Sequence, residues 1–157
     1  MGEAYFYHLT TEPLERALPK LLVAARKAGW RVVVRGRDAG RLDWLDEKLW
    51  LVPDDPFLAH GRAGGEHDAD QPILLTDRME SPNAADCLMS VDGAQLSSED
   101  VGAHTRTCVI FDGNDPSAVE GARNQWRSVT EGGHVAKYWS QETGRWQLKA
   151  ESGGAAG

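Results

Sequence analysis

The chain carries short runs in which nearly every residue is apolar: Arg31–Arg35 (RVVVR), Ile73–Thr76 (ILLT), Cys87–Val91 (CLMSV) and Thr107–Asp112 (TCVIFD). A strand with one wet face alternates apolar and polar residues. A strand buried on both faces reads as a continuous apolar run. Such runs point to a largely parallel sheet, and parallel neighbours need crossover helices. The intervening segments supply them. Leu14, Leu18, Leu21, Leu22, Ala25 and Ala28 recur at helical spacing, and Gly29 closes that helix. Pro13 and Pro19 offer two starting points, because proline suits a first turn and interrupts an interior one. Asp38–Lys48 is a second helix, with Leu42, Leu45 and Leu49 on one face, and Leu49–Val52 is its end or a short strand. A further helix opens at Asp115 or Ser117 and runs to about Thr130, before Gly132 and Gly133.

Ala4–Leu9 is an aromatic first strand, and Val135–Trp139 with Trp146–Lys149 forms a last pair around Gly144. Gly61–Gln71 is a polar, glycine-rich loop. The expectation is a Rossmann-like three-layer α/β sandwich with helices on both faces of a mostly parallel sheet. It fills one domain over residues 1–150, with a frayed tail over 151–157.

At 157 residues, 41% hydrophobic and 26% charged, the chain suffices for one core. No apolar run approaches the roughly 18 to 20 residues of a membrane span. Met1-Gly2-Glu3-Ala4-Tyr5 lacks the basic start and apolar stretch of a leader. Cys87 and Cys108 sit in apolar runs and read as buried free thiols, which suits a reducing cytoplasm. The net charge of −7 and pI near 5.2 argue against wrapping of nucleic acid, so DNA contact is expected to be indirect. They also make any local basic patch informative.

A doubly wound sheet invites a nucleotide, but the fingerprint is missing. The turn after the first strand reads LTTEP, without G-x-G-x-x-G, and no G-x-x-x-x-G-K-[ST] occurs. The glycines of GRAGG lead into EHDAD (Glu66–Asp70), where a phosphate would meet carboxylates. His67, Asp68 and Asp70, with His60 nearby, are metal-ligand types; a polar loop explains them more simply. Asp112 ends a strand where α/β crevices form, yet the DGND stretch suits a turn or helix cap better than a catalytic carboxylate. No G-x-S-x-G elbow is present, and neither cysteine has an evident histidine partner. No catalytic set, cofactor or metal is expected. The alternative is a small α/β nucleotide-binding protein or hydrolase with a degenerate site.

Two stretches stand out. In RLDWLDEKLWLVPDDPFLAHG (Arg41–Gly61), Trp50 ends a helix and Phe57 follows a turn-rich loop. Either both fold back into the core, which composition alone favours, or both anchor a partner. His60 and Gly61 are expected to shape the loop. In ARNQWR (Ala122–Arg127), helical spacing puts Arg123, Trp126 and Arg127 on one face. Two guanidiniums framing an indole suit a short acidic peptide ending in an aromatic residue and a carboxylate. The plainer reading is a solvated helix face with Trp126 in the core.

LDEKLW, the seven-residue step to Phe57 and LAHG resemble the pattern of the chi subunit of bacterial DNA polymerase III: Leu-Asp-x-x-Leu-Trp, then Phe-x-Pro-His. Ala59 departs from it, standing where the family commonly has proline. FYHL, LPKLLVAARKAGWRVVV, QPILLT and ARNQWR resemble further family segments, in order, over roughly Tyr5–Lys149. The resemblance implies a non-catalytic replication adaptor that joins the clamp-loader complex to single-stranded-DNA-binding protein. It implies that Trp50 and Phe57 face the psi subunit or an accessory helicase. It implies that Arg123 and Arg127, with Trp126 in the aromatic position, receive the acidic C-terminal tail of single-stranded-DNA-binding protein. Lys137 on the next strand is a further source of charge there, although no motif marks it.

Overall fold

The computed structural model describes residues 2–50, 60–64, 68–78, 83–140 and 146–152, with Trp50 described in its backbone alone. The apolar runs become strands and the amphipathic segments become the crossovers between them. In chain order the elements are β1 (Glu3–Leu9), α1 (Leu14–Lys27), β2 (Val32–Arg35), α2 (Ala39–Trp50), β3 (Gly61–Arg62), β4 (Ile73–Thr76), β5 (Cys87–Ser90), α3 (Ser98–Ala103), β6 (Arg106–Asp112), α4 (Pro116–Glu131), β7 (Val135–Ser140) and β8 (Gln147–Ser152). The sheet has eight strands in the order β3-β4-β2-β5-β6-β1-β7-β8. Every neighbouring pair is parallel except β7 with β8. The α/β sandwich read from the sequence is the fold observed.

Both sheet faces carry a core. On one, Leu18 and Leu22 of α1 and Leu42, Leu45 and Leu49 of α2 pack onto Val32, Val34, Ile73, Leu75, Met89 and Ile110. On the other, Val101 of α3 and Ala122 and Val129 of α4 pack onto Ala4, Phe6, Val109, Phe111 and Ala136. The strand period of two makes this possible: in β1, Ala4 and Phe6 face α4 while Tyr5 and Tyr7 face the opposite side. Pro19 is buried inside α1, which starts at Leu14 after Pro13, so the earlier proline marks the start.

The structure corrects three local expectations. Glu151 and Ser152, taken for frayed tail, pair with Lys137 and Ala136 in the β7–β8 ladder. Backbone hydrogen bonds to a neighbouring strand order residues that carry no hydrophobic pattern of their own. The polar loop from Gly61 contains the short strand β3 and a 3-10 turn over Asp68–Asp70. Between β5 and β6 lies α3, which begins with a capping box: Ser97 and Asp100 each accept from the other's backbone N–H.

At the end of β2, Arg35 is buried at 2% exposure. Its guanidinium donates to Asp100 at 3.0 and 3.4 Å and to the Gln95 carbonyl at 3.3 Å. The last residue of RVVVR is therefore an interior cation rather than the strand's wet edge.

Candidate functional site

Helix α4 starts where Asp115 accepts from the Ser117 N–H at 3.0 Å, with Pro116 in its first turn. Just before it, Asp112 accepts from the Asn114 N–H at 2.9 Å. The DGND carboxylates thus serve the turn and the cap. Gly113 lies against His8, and a β-carbon there would collide with the imidazole and sit 2.7 Å from the Leu9 carbonyl. Glycine is what lets the turn pass so close to β1.

Arg123 and Arg127 are exposed on α4, and neither has an ion-pair partner among the described residues. Together with Gly113, Asn114, Pro116, Val119, Glu120 and Asn124 they line a groove of about 440 Å³. One carboxylate, Glu120, shares it with the two guanidiniums. Trp126 is not part of that lining. It is half-buried at the flank of α4, edge-on to Phe6 at 5.2 Å and to Tyr138 at 6.1 Å. Tyr138 in turn meets Phe111 at 6.0 Å and hydrogen-bonds His8 Nδ1 at 2.5 Å. Helical spacing put the three side chains of ARNQWR on one face. Packing turns the indole toward the core and leaves the arginines in the groove. The contribution of the β6–α4 turn to the groove escaped the sequence reading, although the DGNDP turn signal marked its place.

Trp50 is the last residue of α2, on the opposite sheet face from α4. Phe57 and the substituted Ala59 lie outside the described residues. His60 is buried, its Nε2 lying 3.0 Å from Asp46 Oδ1 and 3.2 Å from the Asp46 carbonyl. Gly61 packs against the Gln71 side chain at 2.9 Å from the position of an added β-carbon. Both residues hold the chain against α2 and the following loop.

A second cavity of about 690 Å³ opens at the C-terminal ends of β1 and β6, the place where doubly wound sheets hold nucleotides. Carboxylates dominate its polar walls: Glu12, Glu15, Asp92, Asp112 and Asp115 face Arg37 and Arg41. Arg41 is already committed to Asp92, at 3.1 and 3.2 Å. This lining opposes a phosphate. In the EHDAD stretch, Glu66 and His67 lie outside the described residues, and Asp68 accepts from the Gly64 N–H at 2.9 Å. Among the described residues no group of three potential ligands gathers. Cys87 and Cys108 are buried free thiols on neighbouring strands. Their mutual hydrogen bond, then burial, pushes the Cys87 thiol well up, so it stays protonated and unreactive.

Compared with known proteins, residues 1–137 match the family model described as DNA polymerase III chi subunit, HolC. The chain belongs to this family. It is also similar to a protein of Rickettsia prowazekii (strain Madrid E) named "Probable DNA polymerase III subunit chi", with 25% identity over 97 residues. That alignment covers 62% of this chain and 59% of the relative, so the chain spans about three-fifths of the length of the curated protein it matches. The chi match takes in α1, α2, α4 and the groove, and it ends at Lys137 within β7, so β8 lies beyond it. Membership of a DNA polymerase III family places the chain with DNA replication. Among the described residues no helix is long and apolar enough to cross a membrane.

Proposed function

We propose that this chi-family chain is a non-catalytic adaptor of replication. In this reading it tethers the clamp-loader complex to single-stranded-DNA-binding protein by holding that protein's acidic C-terminal tail in the α4 groove. The observation that carries it is the pair Arg123 and Arg127: exposed, without ion-pair partners among the described residues, and side by side on a protein of net charge −7. Surrounding negative charge disfavours an acidic peptide elsewhere and leaves this groove as its landing place. Guanidiniums pair with carboxylates in two-pronged hydrogen bonds. Val119 and Pro116 offer apolar wall for a terminal aromatic ring, and Trp126 backs the helix from the core side. In this reading Trp50, at the end of α2, and Phe57 anchor psi or an accessory helicase.

A short tail bound by two guanidiniums and one ring should bind at about micromolar strength, roughly −8 kcal/mol. The affinity should fall with salt as exposed charges are screened. Fluorescence anisotropy of a labelled peptide ending in Asp-Ile-Pro-Phe tests this. Saturable binding is expected, lost when the last phenylalanine is deleted and weakened by Arg123→Ala or Arg127→Ala. Equal binding by wild type and both variants would remove the groove from the account. Trp50→Ala separates the two ends: capture of psi or a helicase should fall while the peptide titration stays unchanged. A loss of peptide binding in Trp50→Ala would contradict two independent sites.

A further inference from the structure

The two sheet faces are not covered alike. α4 packs over β1 and β7 on one side. On the other side α1 lies over β2 and β6, and α2 over β3 and β4. Among the described residues, the helices of that second layer lie chiefly over β2, β3, β4 and β6 rather than over β7 and β8. Parallel sheets normally bury both faces; the antiparallel β7–β8 pair can leave one to water, which sets this half-face apart from the rest of the sheet.

What it carries is also unusual. Tyr5 and Tyr7 of β1, Trp139 of β7 and Trp146 beside β8 form one aromatic layer. Their ring centres lie 6.3 Å (Tyr5–Tyr7), 6.0 Å (Tyr5–Trp139) and 5.0 Å (Tyr7–Trp146) apart. All four are half-buried, and Leu148, paired with Trp139 across the ladder, is 44% exposed. Two cations sit within the layer. The Arg106 guanidinium lies 3.7 Å from the Tyr5 ring centre, and the Lys137 ammonium lies 5.5 Å from it. Arg106 is ion-paired to Glu3 at 3.5 Å, whereas Lys137 has no ion pair among the described residues.

We infer that this half-face is a stacking platform for single-stranded DNA. Every base presents a π-face; Arg106 covers the Tyr5 ring, so Tyr7, Trp139 and Trp146 around it offer the stacking positions. Arg106 and Lys137 supply the positive charge that a phosphate backbone requires next to the stacked bases. Membership of a DNA polymerase III family puts single-stranded DNA, rather than RNA, within reach. The platform lies on the opposite sheet face from the α4 groove, so an acidic tail and a strand would not compete for one surface. It departs from the expectation of purely indirect DNA contact. The overall charge of −7 still weakens the binding and makes it strongly salt-dependent.

The full chain titrated at low salt with labelled oligothymidylate, reading anisotropy and tryptophan emission together, tests the inference. Saturable binding with quenched emission is expected. Trp139→Ala and Lys137→Glu should each weaken it by about tenfold or more, and Trp139→Phe, which keeps a ring, should restore most of it. Lys137 points to the Tyr5 side of the sheet, away from α4, so it adds no charge to the groove as the sequence had suggested, and binding of the acidic peptide should be the same in all four proteins. Thermal melts identify a variant that has unfolded; Trp139→Phe and Lys137→Glu then still decide the matter. No saturable binding at low salt would overturn the platform. So would equal affinity for duplex DNA, binding unchanged by Lys137→Glu and Trp139→Ala, or a concentration-dependent dimer that is lost in Trp139→Ala.

Discussion

Asp100→Ala is expected to destabilise the fold by about 3 kcal/mol, because it takes a carboxylate partner from a buried cation. Arg35 is only 2% exposed, and Asp100 is the carboxylate facing it, at 3.0 Å. Asp100 also belongs to the capping box of α3, so the same substitution removes the partner of Ser97. Chemical denaturation should show a lower midpoint with an unchanged slope. A loss below about 1 kcal/mol would mean that water reaches the guanidinium and that the pair is dispensable. Burial opposes ionisation of Asp100, but the Arg35 hydrogen bond, the Ser97 N–H and the Arg35 charge outweigh it and hold the carboxyl below its ordinary value of 3.8. A carboxyl depressed in the folded state contributes stability that is present above its unfolded value. That stability is lost as pH falls through the folded one. Acid should therefore weaken the wild type below about pH 4, and Asp100→Asn should lose that part of the pH dependence.

Phe6→Ala is expected to cost about 3–5 kcal/mol, the range for emptying a buried aromatic site. Phe6 is fully buried between the sheet and α4, where it meets the edge of Trp126 at 5.2 Å. The cavity it leaves lies beneath the helix that presents Arg123 and Arg127. A stability loss well below 2 kcal/mol would show that α4 collapses into the space. Under conditions where the variant remains folded, the acidic peptide should bind more weakly to it than to wild type, because the groove has lost its support. Unchanged peptide affinity in a destabilised Phe6→Ala would mean that the arginines act independently of how α4 is seated.

Much of the architecture was legible because buried parallel strands announce themselves. β2, β4 and β5 coincide with continuous apolar runs, and α1, α2 and α4 with leucine, alanine and tryptophan at helical spacing. Elements whose order comes from tertiary partners were hidden. α3 is six residues long and has one buried residue, Val101, so periodicity is silent there; only the Ser97–Asp100 spacing spoke for it. β8 was expected over Trp146–Lys149, but its last residues, to Ser152, are held by the ladder to β7 and have no buried residue to betray them. Arg35 looked like a strand terminus, because its partner lies 65 residues away. Trp126 shows the limit at the site itself. Spacing places it beside the arginines, but its contacts with Phe6 and Tyr138, which sequence spacing does not contain, decide which way the ring turns.

The most direct test of the adaptor account is a titration of the full chain against intact single-stranded-DNA-binding protein free of DNA, in parallel with the same protein lacking its last few residues. Leaving DNA out keeps the aromatic sheet face from contributing. The account predicts saturable binding to the intact protein, none to the truncated one, and a marked loss for Arg123→Ala with its melting temperature unchanged. Equal binding to the intact and truncated proteins would contradict it, because the α4 groove would then have no tail to receive.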